Sequence, residues 1–233
     1  MAKTAAVFLK VFPLVVAPAL LRAGRWGRIA VAAAVGLLLA ANAPHFARRP
    51  ESLSQLVDAN FGRSLATTGL DAGNHGLVYL LAMSGAFATG EPLREIPALL
   101  RVGSVLLLLA TASWVLMKRG DLVLGGAALI LAQVLTYPHT WEHHYSGVVV
   151  AALAAATRIE GRRTLAALLV ATVVIALPTP FVLLDRARDP RVWDPSTAWP
   201  PIARLVLPAA KAVPTALVFV LLLASRRPEA RAA

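Results

Sequence analysis

Thr136-Tyr137-Pro138-His139-Thr140-Trp141-Glu142-His143-His144-Tyr145 is the stretch on which the fold turns. It holds three of the chain's five histidines together with a carboxylate. Apolar runs flank it on both sides, from about Leu122 to Tyr137 and from about Trp141 to Thr157. Placing ionisable groups at or inside a bilayer boundary costs about a few kcal/mol each, so a cluster of them between two apolar runs marks a functional site. Proline ends the preceding helix and tolerates the first position of the next, so Pro138 predicts a sharp corner that starts a new helix.

Working outward, the composition names the environment. The chain has 233 residues, of which 58% are hydrophobic and 15% charged, and its mean hydropathy is +0.68. That leaves too little polar surface to cover a soluble globule, and the chain reads as an integral membrane protein. Its formal charge is +11, but the basic residues stand in short clusters between apolar runs. Such clusters carry orientation, not a nucleic-acid-binding stripe, so nucleic acid is not an expected partner. Cysteine is absent, which excludes a thiol nucleophile, a disulfide framework and a thiolate metal site.

Beyond the two runs at the corner, further apolar segments lie at about Ala5 to Leu21, Ile29 to Ala43, Ala98 to Met117, Leu165 to Leu184 and Ile202 to Ser225. The expected fold is all-α: a polytopic transmembrane helical bundle of about seven spans, although several segments fall short of the roughly 20 residues that cross a hydrocarbon core. Most of the charge near the first run follows it, so that run reads as a retained span and not a signal peptide. The segment beginning Asn74-His75-Gly76-Leu77-Val78-Tyr79 is too short to cross and is expected to form a re-entrant or interfacial helix.

Arginines and lysines in short loops set the orientation. Arg22, Arg25 and Arg28, then Lys118 and Arg119, then Arg158, Arg162 and Arg163, then Arg226, Arg227 and Arg231 all fall on one side, the cytoplasmic one. The external side then receives segments of about 45–97, 138–145 and 185–204, and with them every histidine: His45, His75, His139, His143 and His144. The whole chain, 1–233, reads as one transmembrane domain. Its first residue would lie outside with no signal to carry it there, so the expectation is a C-terminal part of a larger module.

Inside the apolar runs stand three cations, Lys10, Arg101 and Lys211, with no Asp or Glu in those runs to neutralise them. Arg101 can snorkel to the interface along its aliphatic stem. Lys211, roughly 14 Å from its helix start by the helical rise, reaches it with difficulty. Three outer-depth cations would suit a lipid-linked phosphate. His139, Glu142 and His143 also fit the H-x-x-E-H pattern of inverted zinc proteases, with both histidines on one helical face. A third ligand would have to come from Glu91, Asp185, Asp189 or Asp194, and nothing in the sequence selects one, so no metal or other cofactor is expected. The bland alternative is an interfacial cluster, with Trp141 and Tyr145 in the aromatic belt and solvated histidines.

Three blocks carry a family resemblance: Trp141-Glu142-His143-His144 after the proline turn, Asn74-His75-Gly76-Leu77 ahead of a short helix, and Phe8-Leu9-Lys10-Val11-Phe12-Pro13 before a basic loop. Together they resemble glycosyltransferase family 87, also called DUF2029, in the GT-C class of polytopic bacterial mannosyltransferases. The order and spacing match the later half of that pattern. The block at Asn74 departs from its more usual Asn-Gln-Ser.

The resemblance implies transfer of a hexose from a polyprenyl-phosphate sugar donor to a glycan or glycolipid acceptor at the outer face of a bacterial inner membrane. It would place Glu142, His143 and His144 in catalysis, with Lys10, Asn74, His75 and Trp141 binding substrate; Arg101 and Lys211 join the binding set as outer-depth cations. Imidazole titrates near neutral pH and can exchange protons there. The acidic base that the class carries on its first external loop has no counterpart in this chain. Asp58 and Asp71 lie in an external segment and serve equally well as helix caps, so the role does not transfer to them. A chain carrying the missing N-terminal helices is therefore an expected partner. Two other functions stand beside the transferase: a noncatalytic membrane subunit that binds lipid phosphate, and a zinc-dependent membrane hydrolase using His139, Glu142 and His143.

Overall fold

The computed structural model describes residues 15–55, 74–117, 120–178, 200 and 202–225. Lys10, Asp58, Asp71, Asp185, Asp189 and Asp194, together with most of the 185–204 segment, lie outside the described residues. Within them the chain is all-helical, with no strand. In chain order the helices are α1 (Ala17–Arg22), α2 (Gly24–Arg48), α3 (Leu77–Thr89), α4 (Ala98–Met117), α5 (Leu122–Thr136), α6 (Tyr145–Ala156), α7 (Arg162–Ala176) and α8 (Ala203–Ala224). Three of these, α2, α4 and α8, are long and apolar enough to cross a membrane.

The bundle is built around α5. Ten of its fifteen residues are buried, among them Gly125, Ala127, Ala128 and Ala132. A helix that is apolar all round belongs inside, and its small residues let neighbours approach closely. A Cβ on Gly125 would stand 3.2 Å from Val115 Cγ1 of α4. Helices α4, α6 and α8 pack against α5, α7 packs against α6 and α8, and α3 lies mainly against α8. Leu131, Val148, Leu168 and Val218, each 0% exposed, mark where α5, α6, α7 and α8 meet. By contrast α2 touches little beyond α1 and has one buried residue, Gly27.

Local chemistry sets the helix ends. Asp121 caps α5 by accepting from the backbone N–H groups of Val123 at 2.7 Å and Leu124 at 3.2 Å. Helix α3 stops at Gly90, whose φ of +72° is the left-handed conformation a helix end needs and glycine adopts without penalty. Two expectations need correcting. The second apolar run was expected to end near Pro44, but α2 continues through that proline to Arg48. Pro138 was expected to start a helix, yet it lies in a bend, and only a 3-10 turn at Glu142–His144 followed by α6 resumes helical structure.

The two ends of the bundle differ in chemistry. At one, Arg22 donates to the Val115 carbonyl at 2.9 Å and the Gly120 carbonyl at 3.2 Å, while Arg158 meets Asp121 at 3.6 Å. At the other end of α5 stands the corner. Basic loop residues distant in sequence thus converge at the end opposite the histidine-rich corner, as the charge pattern predicts.

Candidate functional site

The corner is held in place by Asn74. Its side-chain amide donates to the Pro138 carbonyl at 2.5 Å, and its Oδ1 accepts from the backbone N–H groups of Gly76 at 2.8 Å and Thr140 at 3.0 Å. The His75 N–H donates to the Thr140 carbonyl at 2.7 Å, and the Tyr145 hydroxyl donates to the His75 carbonyl at 2.6 Å. Asn74, His75 and Thr140 are each 0% exposed. In an apolar interior an unpaired backbone group costs roughly 1–3 kcal/mol, so this lacing is what allows two irregular segments to lie there together. Gly76 is required by proximity: a Cβ would come within 3.0 Å of both Asn74 Oδ1 and Thr140 Oγ1.

Lys211 reaches the same end from α8. Its ammonium donates to the Ile175 carbonyl at 2.8 Å and to the Leu177 carbonyl, and it faces Glu142 Oε1 at 3.6 Å. The two carbonyls belong to the C-terminus of α7, where a helix leaves acceptors unsatisfied and favours a cation. Two of the ammonium's three N–H donors are thus taken by backbone carbonyls, and the carboxylate stands at ion-pair distance from the charge. The charge that the sequence left without a counter-ion in its own run therefore takes one from the corner. The Lys211 side chain is 5% exposed and that of Glu142 32%, so the carboxylate is the open half of the pair.

His75 joins these two electrostatically. Burial holds its imidazole below the ordinary histidine range, the Glu142 charge opposes that effect, and smaller influences come from Lys211, which lowers it, and the Leu207 carbonyl, which raises it. Desolvation disfavours the charged ring, so the neutral form is the one the site keeps.

The remaining histidines are sorted by the hydrogen bonds they accept. His144 Nδ1 accepts from the Trp141 backbone N–H at 2.9 Å, and His139 Nε2 accepts from the Trp141 indole N–H. In the neutral rings the protons then sit on His144 Nε2 and His139 Nδ1, which makes His144 a donor through Nε2. The His143 and His144 rings stack with centroids 4.2 Å apart, and Tyr137 meets His144 edge-on at 5.8 Å. His139 precedes the helical turn and His143 lies within it, so the two do not share a helical face as the zinc pattern requires. Among the described residues no group of three His, Cys, Asp or Glu could hold a metal ion.

Of the residues singled out in the sequence, Asn74, His75, Trp141, Glu142, His143, His144 and Lys211 come to one end of the bundle, on or against the corner. Arg101 lines a groove between α4 and α5 that borders the start of the corner at Thr136, Tyr137 and Pro138. Thr140 and Tyr145 were not foreseen as parts of the lacing. Tyr145, read as an aromatic-belt residue, is 2% exposed. Its position at the start of an apolar helix offered a signal, because a buried phenol normally finds an acceptor. The carbonyls of Ile175 and Leu177 carry no sequence signal at all.

No protein-family model, curated protein or solved structure matches this chain.

Proposed function

We propose that this chain is a membrane-embedded hexosyltransferase of the GT-C type, acting at the external face of a bacterial inner membrane with about seven spans and an interfacial α3. The observation that carries the proposal is the joining of the two blocks that resemble family 87. Asn74-His75-Gly76 and the Pro138–His144 corner are 64 to 70 residues apart along the hydrogen bonds that connect them. The corner they brace carries Glu142, the partly open carboxylate. Neither block needs the other for helix formation, so their convergence supports a shared site.

The donor is a polyprenyl-phosphate hexose and the acceptor a hydroxyl of an envelope glycan or glycolipid. The acceptor oxygen forms a bond to the anomeric carbon while the bond from that carbon to the donor phosphate breaks, and the phosphate leaves with the electron pair. The acceptor proton passes to Glu142 or His143, and His144 donates through Nε2–H to an oxygen of the leaving group. Lys211 is a positioning residue that aims Glu142, and Trp141 fixes the ring of His144. General acid–base residues contribute about 10²–10⁴-fold to such steps.

The test uses membranes of cells that carry the chain at its own locus, so that any companion chain is present. Hexose transfer from added polyprenyl-phosphate hexose is measured for wild type, a deletion, and Glu142→Gln. A deletion and a Glu142→Gln variant that each lose at least about tenfold support the assignment. Equal transfer in all three strains sinks it.

A second function, a noncatalytic membrane subunit, is favoured by one observation: Lys211 is engaged within the chain, on two backbone carbonyls and one carboxylate, as in a structural clamp. Loss of transfer on deletion with full retention in Glu142→Gln would select it.

A further inference from the structure

The groove between α4 and α5 has a volume of about 540 Å³, and among the described residues lining it Arg101 is the only charged one. That size lies within the range of roughly 300–1,000 Å³ usual for small-molecule sites. Two of the hydroxyls on its walls are turned onto their own helices: Ser104 donates to the Leu100 carbonyl at 2.8 Å and Thr136 to the Ala132 carbonyl at 2.7 Å. What remains is a mainly apolar channel whose other polar side chains are Gln133, Tyr137 and the Arg101 guanidinium. Arg101 Nε is buried and has no hydrogen-bond partner among the described residues. Snorkelling accounts for the two terminal nitrogens, which are not among the buried unbonded groups, but it leaves the Nε donor with neither water nor a partner among the described residues.

We propose that this groove holds an anionic membrane phospholipid, its phosphodiester on Arg101 and one acyl chain along Val102, Val105 and Leu108. Three features select that occupant. Leu99, Val102, Val105 and Leu106 of α4 are exposed, so in a bilayer the groove opens sideways among lipid tails and not into water. Arg101 lies one turn inside α4, roughly 4.5 Å along the axis from Ala98 by the helical rise, a depth at which a headgroup phosphate can meet it. A single guanidinium matches the single charge of a diester in a bidentate fork, whereas a monoester, with closer to two charges, calls for a second cation; a polyprenyl-phosphate hexose is a diester too, and the sideways opening among acyl tails is what favours the phospholipid over it. Lys211 does not supply one, since its donors are directed elsewhere. The site is separate from the sugar-transfer assignment and stands or falls without it.

The experiment is native mass spectrometry of the purified full chain in a neutral detergent, with equal amounts of phosphatidylglycerol and diacylglycerol offered, and undecaprenyl phosphate offered in a separate titration. Wild type retains phosphatidylglycerol over diacylglycerol by at least about tenfold, as expected of charge-assisted hydrogen bonds. Arg101→Gln loses that preference, and Arg94→Gln, an exposed neighbour, keeps it. Val105→Trp, which fills the channel from a half-exposed position without touching the charge, lowers retention of both diacyl lipids; circular dichroism confirms helix content for every variant. Should Arg101→Gln fail to fold, Val105→Trp alone reads the groove. Wild-type preference persisting in Arg101→Gln, unchanged retention in Val105→Trp, or tighter retention of undecaprenyl phosphate than of phosphatidylglycerol each overturns the proposal.

Discussion

Lys211 and Glu142 face each other across 3.6 Å, an almost fully buried ammonium from the middle of α8 against a carboxylate from a 3-10 turn 69 positions earlier in the chain. The same ammonium bonds two carbonyls at the end of α7, so one side chain ties together three elements.

Replacing Lys211 with Met is expected to destabilise the chain by about 1–3 kcal/mol, because two α7 carbonyls lose their donor while Glu142, left behind, is partly solvated. Glu142→Gln, which leaves a neutral acceptor in a more open place, should cost less. In the double variant the two losses should not add, because Lys211→Met has already removed the partner of residue 142. Denaturant unfolding in detergent micelles measures all three, and strict additivity would show that the two residues do not interact.

Asn74→Ala removes one donor to Pro138 and two accepted bonds from Gly76 and Thr140 in a fully buried place. A loss of about 2–4 kcal/mol is expected, more than one orphaned group and fewer than three at full cost. A change below about 0.5 kcal/mol would mean the corner does not depend on this side chain.

Gly76→Ala and Gly85→Ala should move stability in opposite directions. At Gly76 the new methyl meets Asn74 Oδ1 and Thr140 Oγ1 at 3.0 Å, both held in hydrogen bonds, so a loss of about 1–3 kcal/mol follows. At Gly85, inside α3, nothing lies within 4 Å, and the helix should gain about 0.5–1 kcal/mol. Comparing the two melting midpoints tests the crowding at the corner directly.

Stability should fall on acidification because of His75. Its folded value is depressed, so below the unfolded value of 6.5 the unfolded chain binds a proton that the folded one refuses. The contribution is fully present above about pH 6.5, declines as pH drops toward the depressed folded value, and levels off beneath it. Unfolding midpoints from pH 8 to about pH 4.5, compared with those of His75→Asn, read this slope. An identical profile in the variant would assign the acid sensitivity to other groups.

How much was legible beforehand depends on whether the signal was local. The all-helical membrane class follows from apolar content, and the limits of α4, α5 and α8 agree with the expected runs to within a residue or so at each end. Asp121 before an apolar run is a local capping signal. The segregation of Arg22 and Arg158 from the histidine corner follows from loop charge. Pro138 misled, because proline permits a helix start without requiring one, and Asn74 here claims the Pro138 carbonyl for a bend.

The candidate site was legible as a set of residues and not as an arrangement. Glu142, His143 and His144 announce themselves by standing between apolar runs, and Lys211 by lying inside one. That Lys211 is spent on Glu142 and on two backbone carbonyls could not be read, because carbonyls are common to every residue and only packing of α7 against α8 selects Ile175 and Leu177. The tautomers of His139 and His144 depend likewise on where Trp141 points.

Hydropathy and charge order, both properties of consecutive residues, determined by themselves that this chain enters a membrane as helices with its basic loops apart from its imidazoles. Tertiary structure alone decided which cation is neutralised and which faces a groove. Counter-ions 69 residues apart meet only when helices pack, and an electrostatic interaction depends on distance through space and not on separation along the chain.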